Sequence, residues 1–549
     1  MKSIKIKGLA IILCFLSVVA VKAQSLETTV DQLLSEQYAA GHPGATALIA
    51  KDGKIIYRKA FGTANLELDI PMKPENVFEL GSITKQFTSV SILMLMEQGK
   101  LSLQDDITKF IPDYPTQGKK ISIHQLLNHT SGIKSYTAME SFRKIARTDL
   151  TPAEIIDIFK NEPMDFDPGE KYAYNNSGYN ILGHIIEVVS GMSYGDFVEK
   201  HIFQKLGMKN SHYGSMSKII KNRASGYQPT DNGYRIAEYL SLTLPYAAGS
   251  LMSCVDDMFL WSQAIHNNTL ISEKSKQLAF TNGTLNNGSP IYYGYGFTVN
   301  EIGGVPTIEH GGGIFGYETY GVYVPSENVY VIVLTNRNGN GPTNITIRMA
   351  GHAIGKSFPT ADSANAAISE NTMKQWVGTY EFENGVTRFI TLQDGKLYSQ
   401  REGSQNMPLI AVSEDEYYFE RSFSKYKFSK EDGKKVANFS SRIKKSKGME
   451  SDKTAPVTKE SITVDASILE KYIGTYEIQP GFVVEITTEG NKIFGTPTGQ
   501  PKAELFAENE TTFFLKVVKA QVVFTTDDKG VAQSLTLHQG GREMEGKKI

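Results

Sequence analysis

The sequence predicts a mixed α/β (α+β) body, an antiparallel sheet flanked by helices with a helical subdomain, followed by two small all-β barrel domains. Three observations predict it. Residues 24–357 carry strand patterns at both ends and helical patterns between them, an order in which the terminal strands pair while the middle builds a helical layer. Near residue 358 the chain changes character, and beyond it almost no helical period remains. In that second part Trp376-Val-Gly-Thr-Tyr-Glu381 recurs as Tyr472-Ile-Gly-Thr-Tyr-Glu477, an offset of 96 that also aligns Leu409 with Leu505 and Phe428 with Phe524.

Taken in order, residues 1–23 read as a secretory signal peptide: Lys2, Lys5 and Lys7, an apolar run from Leu9 to Val21, and small-residue chemistry ending at Ala23. The mature chain is expected to begin at Gln24 and to be exported, periplasmic or secreted. The apolar run is short for a bilayer and no later segment approaches the ~20 apolar residues a span needs, so no membrane span is expected after signal cleavage. Of the two cysteines, Cys14 lies in the signal and Cys254, inside the apolar stretch Leu251 to Leu260, reads as a small buried hydrophobe. With 57 basic and 59 acidic residues the charge gives no reason to expect a nucleic-acid partner.

Residues 24–357 then read as one domain. An amphipathic helix is expected near 25–40, a hairpin from Ala47 to Phe61 turning at Asp52-Gly53, several helices, a strand pair from Gly321 to Asn336, and a helix near 342–354. Residues 358–370 form a small-residue linker. The repeats become β domains over 366–445 and 464–549, with turns at Asp394-Gly395, Asp432-Gly433 and Asp528-Lys529-Gly530, joined by a polar stretch from 444 to 463 that contains Pro456.

Two motifs fail on context. Gly191-Met-Ser193-Tyr-Gly195 has the spacing of a nucleophile elbow, but the preceding Tyr179 to Ser190 has helical rather than strand spacing, and Ser193 with Asp196 looks like a helix cap. His310-Gly-Gly-Gly313 looks like a lipase oxyanion motif but follows that serine instead of preceding it. A better constellation starts at Ser82-Ile-Thr-Lys85. Positions i and i+3 share a helix face, so the Lys85 amine can take the Ser82 proton, and the apolar Phe87 to Met96 behind them reads as a buried helix whose N-terminus favours an oxyanion. Tyr174-Asn175-Asn176 follows the turn at Pro168-Gly169, with the phenol and the second amide expected on one side of an extended loop. His310-Gly311-Gly312-Gly313 closes a strand-like segment from Val305, its glycines leaving room for a substrate backbone at a strand edge.

Together, in the order S-x-x-K, Y-x-N, H-x-G, these motifs resemble the penicillin-recognising serine hydrolases, in the branch of class C β-lactamases, serine DD-peptidases, D-aminopeptidases and esterases. Leu126-Leu-Asn-His-Thr-Ser-Gly132, Pro168 to Asn176, and Ala247-Ala-Gly-Ser250 ahead of Asp256-Asp257 look like the same family. The tail repeats resemble lipocalin-like accessory domains. The resemblance implies a β-lactamase/transpeptidase-like fold over about residues 28–355, Ser82 as nucleophile, Lys85 and Tyr174 as proton-transfer groups, and Asn176, His310 and Gly312 as substrate-binding residues. It further implies an oxyanion hole from the N–H groups of Ser82 and Gly313, and neither metal nor cofactor. Lys85 is expected to be partly buried near cationic neighbours that lower its pKa. His310 stands where β-lactamases carry Lys, and as a histidine it is expected to be charged only part of the time, which puts β-lactamase activity in doubt. The expected activity is hydrolysis through an acyl-enzyme, foremost of D-amino-acid peptides or peptidoglycan fragments. The alternatives are an esterase or β-lactamase, and a non-catalytic protein that holds penicillin-like, peptide or cell-wall ligands.

Overall fold

The structure is a computed structural model that describes residues 26–215, 217–230, 232–356, 358–360, 368–453, 461–479, 482–498, 502–515, 520–539 and 542–549. The segment read as a signal peptide, and parts of both linkers including Pro456, lie outside the described residues. The chain divides into two compact units that part at residues 357 and 358.

The first unit is built on a six-stranded antiparallel sheet. After α1, residues 26–37, come β1 (Ala45–Lys51) and β2 (Lys54–Phe61), joined by Asp52 and Gly53, both with positive φ (51° and 73°) as a two-residue hairpin requires. The other four strands come more than two hundred residues later: β3 (Thr298–Ile302), β4 (Val305–Ile314), β5 (Tyr317–Val324) and β6 (Val329–Thr335). The order across the sheet is β3-β4-β5-β6-β1-β2, so the expected pairing of terminal strands is found, with Leu48 opposite Ile332. Every residue of β6 is buried. Leu48, Ala50, Ile332 and Leu334 join the main core with Phe87 and Trp261. Ala47, Ile49, Val331 and Val333 are buried on the other face by strand alternation, and a C-terminal helix, Thr343–Ala353, packs against these strands.

The helical layer is centred on α2 (Thr84–Glu97), whose residues from Thr84 to Leu95 are all buried. A helix buried on every face belongs in the middle of a core. α3 (Ile123–Leu127) starts with a Ser122/Gln125 capping box, and α4 (Asn176–Ser190) packs on α2 with Asn175 as its N-cap and left-handed Gly191 as its C-cap. Ser193 caps the next short helix, accepting from Asp196 N, as read. Cys254 is buried and free, its thiol pushed up to about 11 by burial, which fits an inert packing residue. No helix among the described residues is long and apolar enough to cross a membrane.

The second unit contains two closed eight-stranded antiparallel barrels, Gly378 to Ser451 and Gly474 to Lys548. The repeat holds down to single bonds: Tyr380 Oη donates to Trp376 O and Tyr476 Oη to Tyr472 O, each at 2.7 Å. Trp376 stacks on Phe428 as Tyr472 stacks on Phe524. The stretch read as a linker from 444 begins later. Lys444–Ser451 is the eighth strand and closes the first barrel against Gly378–Phe382. Its pattern is polar because its one buried residue is Gly448, where a Cβ would lie 2.7 Å from the Phe382 ring that already fills that space.

Candidate active site

Ser82 is delivered by a left-handed turn. Gly81 has φ 54°, and a Cβ on it would stand 2.9 Å from Gly313 N, so glycine is required both by the conformation and by the approach of β4. Gly81–Ile83 forms one 3-10 turn leading into α2. Ser82 is left partly exposed and Lys85, one turn on, is completely buried.

Lys85 Nζ lies 3.1 Å from Ser82 Oγ, 2.8 Å from Asn176 Oδ1 and 2.8 Å from Ala248 O. Burial holds its pKa well below the ordinary lysine value. The expected cationic neighbours are therefore not the cause: desolvation is. A neutral amine has two N–H bonds and one lone pair. Asn176 Oδ1 and Ala248 O can only accept, so they take the two N–H groups and the lone pair is left for the Ser82 hydroxyl. This is a base aimed at a hydroxyl.

Tyr174 completes the cluster. Its ring centre is 4.8 Å from Lys85 Nζ, and Ser82 is the polar side chain that faces its hydroxyl. The residue is 40% exposed along one edge, yet its hydroxyl end is deep enough for burial to hold the phenol above its usual pKa, hence protonated. Asn176 is not on an extended loop with Tyr174 but is the first residue of α4, and the helix start orients its amide. Asn176 Nδ2 donates to Thr137 Oγ1 at 3.0 Å.

On the opposite wall, β3 pairs with β4 only from Val305 to Glu309. His310–Ile314 therefore have β5 on one side and, among the described residues, no strand on the other. The glycines here differ in purpose. A Cβ at Gly312 would fall 1.9 Å from Leu80 O and 2.4 Å from Thr319 Oγ1, whereas one at Gly313 would meet nothing within 4 Å. Gly312 is thus turned into the protein, away from the substrate-contacting position expected for it, and Gly313 borders the open cleft.

His310 also departs from expectation. It is 5% exposed, with Nδ1 2.6 Å from Gly311 O and Nε2 2.7 Å from Tyr293 Oη. A carbonyl only accepts, so Nδ1 carries the proton and Nε2 accepts from the Tyr293 hydroxyl. Burial first, then the nearby Lys85, lowers its pKa to about 4. The ring is neutral at neutral pH, rather than charged part of the time, and both its nitrogens are engaged.

Ser82, Asn176 and Gly313 therefore line one cleft of about 540 Å³, with Lys85 bonded behind Ser82 and Asn176 and Tyr174 beside Lys85, while His310 and Gly312 are not in its lining. Sequence reasoning missed Tyr293, Thr137 and the carbonyl of Ala248. It quoted His129 only as part of a family stretch. That ring accepts from Asn175 N at 3.0 Å and lies 4.3 Å, centre to centre, from Tyr174. No group of acidic, His or Cys side chains among the described residues could hold a metal ion.

Residues 30–356 match the Beta-lactamase family. The chain belongs to that family. Residues 458–548, which contain the second barrel, match a domain of unknown function, DUF3471. Among relatives of the β-lactamase family, penicillin-binding protein 4* of Bacillus subtilis is 31% identical over 396 residues, 68% of this chain and 87% of that protein. The octameric penicillin-binding protein homologue from Pyrococcus abyssi superposes with a TM-score of 0.54 at 28% identity, over 77% of this chain and 99% of that one. The D-stereospecific amidohydrolase from Streptomyces sp. gives 0.51 at 25% identity, over 59% and 97%.

Proposed function

We propose that the protein is an exported serine hydrolase that cleaves an amide, peptide or ester bond through an acyl-enzyme on Ser82. One observation carries the reading: the buried Lys85 amine, with two positions fixed on acceptors and the third on Ser82 Oγ. In this mechanism Ser82 Oγ attacks the substrate carbonyl as its proton passes to neutral Lys85. The negative charge that develops on the carbonyl oxygen is met by the N–H groups of Ser82 and Gly313. Tyr174, held protonated by burial, donates to the departing nitrogen or oxygen and regains its proton from Lys85. Water then enters by the reverse relay and frees the acid. Asn176 holds the Lys85 amine and turns its amide toward the substrate, and His310 and Gly312 shape the β4 edge from behind.

Peptides and amides containing D-amino acids, peptidoglycan fragments among them, are the favoured substrates, on the likeness to the D-stereospecific amidohydrolase and to penicillin-binding relatives. The test is labelling by a fluorophosphonate and a fluorescent penicillin, followed by intact mass, for wild type and Ser82→Ala, then kcat/KM for paired N-acetylated D- and L-amino-acid amides. A single adduct lost in Ser82→Ala, with D over L turnover, supports the reading. A folded wild type that neither labels nor turns over is a binding protein. Export is checked by the N-terminus of the protein recovered outside the cytoplasm, expected at Gln24.

A further inference from the structure

We propose that the cleft beside Ser82 selects an uncharged segment of substrate, an ester or an interior or blocked amide with apolar flanks, and that the Gln228 carboxamide is the group that reads it. The proposal rests on Ser82 being the nucleophile.

Among the described residues fifteen line this cleft, and none of these is Asp, Glu, Lys, Arg or His. Tyr136, Phe142, Leu240, Pro245, Ile314 and Phe315 supply its apolar surface. Its polar groups are mostly spent within the protein. Asn176 and Thr137 are bonded to each other and, through Asn176, to Lys85. Asn338 accepts from Gly316 N and donates to Ile314 O and Tyr317 O. Gln228 is different. It sits on a short strand, Tyr227–Thr230, pinned by bonds from Tyr227 N to Asn336 O and from Asn338 N to Tyr227 O. Its carboxamide oxygen is buried without a partner among the described residues. A buried acceptor with no donor is unfavourable, and a rotation of the partly exposed Gln228 side chain that turns this oxygen into the cleft would let a substrate N–H satisfy it, while the same carboxamide can present its own N–H to a carbonyl or ester oxygen.

The neighbouring charges do not alter this. Arg337 donates to Tyr234 Oη and Gln37 O, and Arg223 to Glu79. Arg143 and Lys144, next to Phe142 in sequence, are exposed and outside the lining. His310 is neutral and already bonded. A carboxylate entering the cleft would find Lys85 as the cation it most readily creates, and by favouring the protonated amine it would remove the base that activates Ser82. An ammonium would lose its hydration with no carboxylate to compensate.

The experiment uses full-length protein and three 4-nitrophenyl esters of similar acyl length, the butyrate, the hemisuccinate and the 4-aminobutyrate, each rate divided by that of hydroxide hydrolysis. Between pH 6 and 8 the butyrate should lead both charged esters by ten- to a hundredfold in kcat/KM. In Gln228→Arg the hemisuccinate should gain at least tenfold relative to butyrate. Gln228→Leu should lower kcat/KM for a blocked peptide amide more than for the butyrate, chiefly through KM, with circular dichroism confirming the fold of both variants. Equal or better turnover of a charged ester by wild type overturns the proposal, and if Arg143→Ala abolishes that preference, recognition belongs to the rim. An unchanged amide-to-ester ratio in Gln228→Leu overturns the part given to Gln228. A wild type that Ser82-directed fluorophosphonate does not label brings down the nucleophile reading instead, and this proposal with it.

Discussion

Lowering the pH should destabilise the first unit through His310 in a way one substitution can isolate. Its imidazole is held at about 4 in the fold, against an ordinary histidine value near 6.5 in the unfolded chain. Between those values the unfolded chain binds a proton that the folded one does not, so stability falls as pH drops through that window. At pH 4.5 the loss from this group is about 2 to 3 kcal/mol, taking each pKa unit as about 1.4 kcal/mol. In His310→Asn this contribution is absent. The variant should be less stable than wild type at pH 7.5, by about 1 to 3 kcal/mol for the Tyr293 hydroxyl left without its acceptor. That gap should close, or change sign, at pH 4.5. His266, also buried and lowered, adds equally to the slope of both proteins and cancels in the difference, whereas His129, lowered by burial, by Lys85 and in smaller part by His310 itself, cancels in all but that last part. The chain has two tryptophans: Trp261 stacks on Phe87 in the first unit and Trp376 lies in the first barrel. In a Trp376→Phe background, urea unfolding followed by fluorescence therefore reports the first unit alone. If wild type and His310→Asn lose stability in parallel between pH 7.5 and 4.5, His310 is not held neutral, and the uncharged cleft wall goes with it.

Ser82→Ala should abolish acyl-enzyme formation in intact-mass assays, whereas Ser193→Ala should leave turnover unchanged and cost about 1 kcal/mol of stability through its lost cap. Lys85→Met and Tyr174→Phe should each lower kcat by ~10² to 10⁴, less than multiplicatively together because both serve one proton path. The acid limb of the wild-type kcat/KM profile should fall well below the ordinary lysine pKa, since the lowered Lys85 must be neutral to act, and an acid limb near 10 would contradict this. Gly312→Ala should lower kcat by ~10²-fold or more, because its Cβ cannot fit 1.9 Å from Leu80 O without moving β4 away from Ser82; wild-type kcat in a folded variant would show that the spacing is not needed. Removing residues 365–549 should leave a folded unit still labelled at Ser82, since each barrel has a core of its own; an insoluble or unlabelled product would show dependence on the tail.

The legible parts of the sequence were those governed by local rules. The Asp52-Gly53 hairpin, the apolar helix after Ser82 and the capping Ser193 each follow from spacing within a few residues, and the barrel repeat from a recurring Gly-Thr-Tyr. Ser82, Lys85, Tyr174 and Asn176 were legible because their motifs are short and ordered. What local pattern could not supply was which way a side chain faces. Gly312 and Gly313 are adjacent glycines in one strand, yet one abuts Leu80 and the other opens on the cleft. His310 looked like a partly charged substrate contact because its partner, Tyr293, lies in a loop with no motif. The eighth strand, Lys444–Ser451, escaped for a related reason: an inward glycine beside Phe382 leaves no hydrophobic alternation to read.

The position of the cluster follows from the fold's connectivity. The turn before α2 and the strand β4 are more than two hundred residues apart in sequence, and their backbones can touch only because position 81 is a glycine in the left-handed region and position 312 has no side chain to hold Leu80 away. That contact brings Ser82 and Gly313 to the border of the same cleft. It also leaves the Lys85 amine behind them in a place water does not reach. The same burial that holds the Lys85 pKa well below its ordinary value keeps His310 neutral, so in the proposed mechanism the site obtains its base by excluding charge from its surroundings. A substrate bringing a carboxylate would restore that charge, which is why the uncharged wall and the neutral lysine are one property of the cleft.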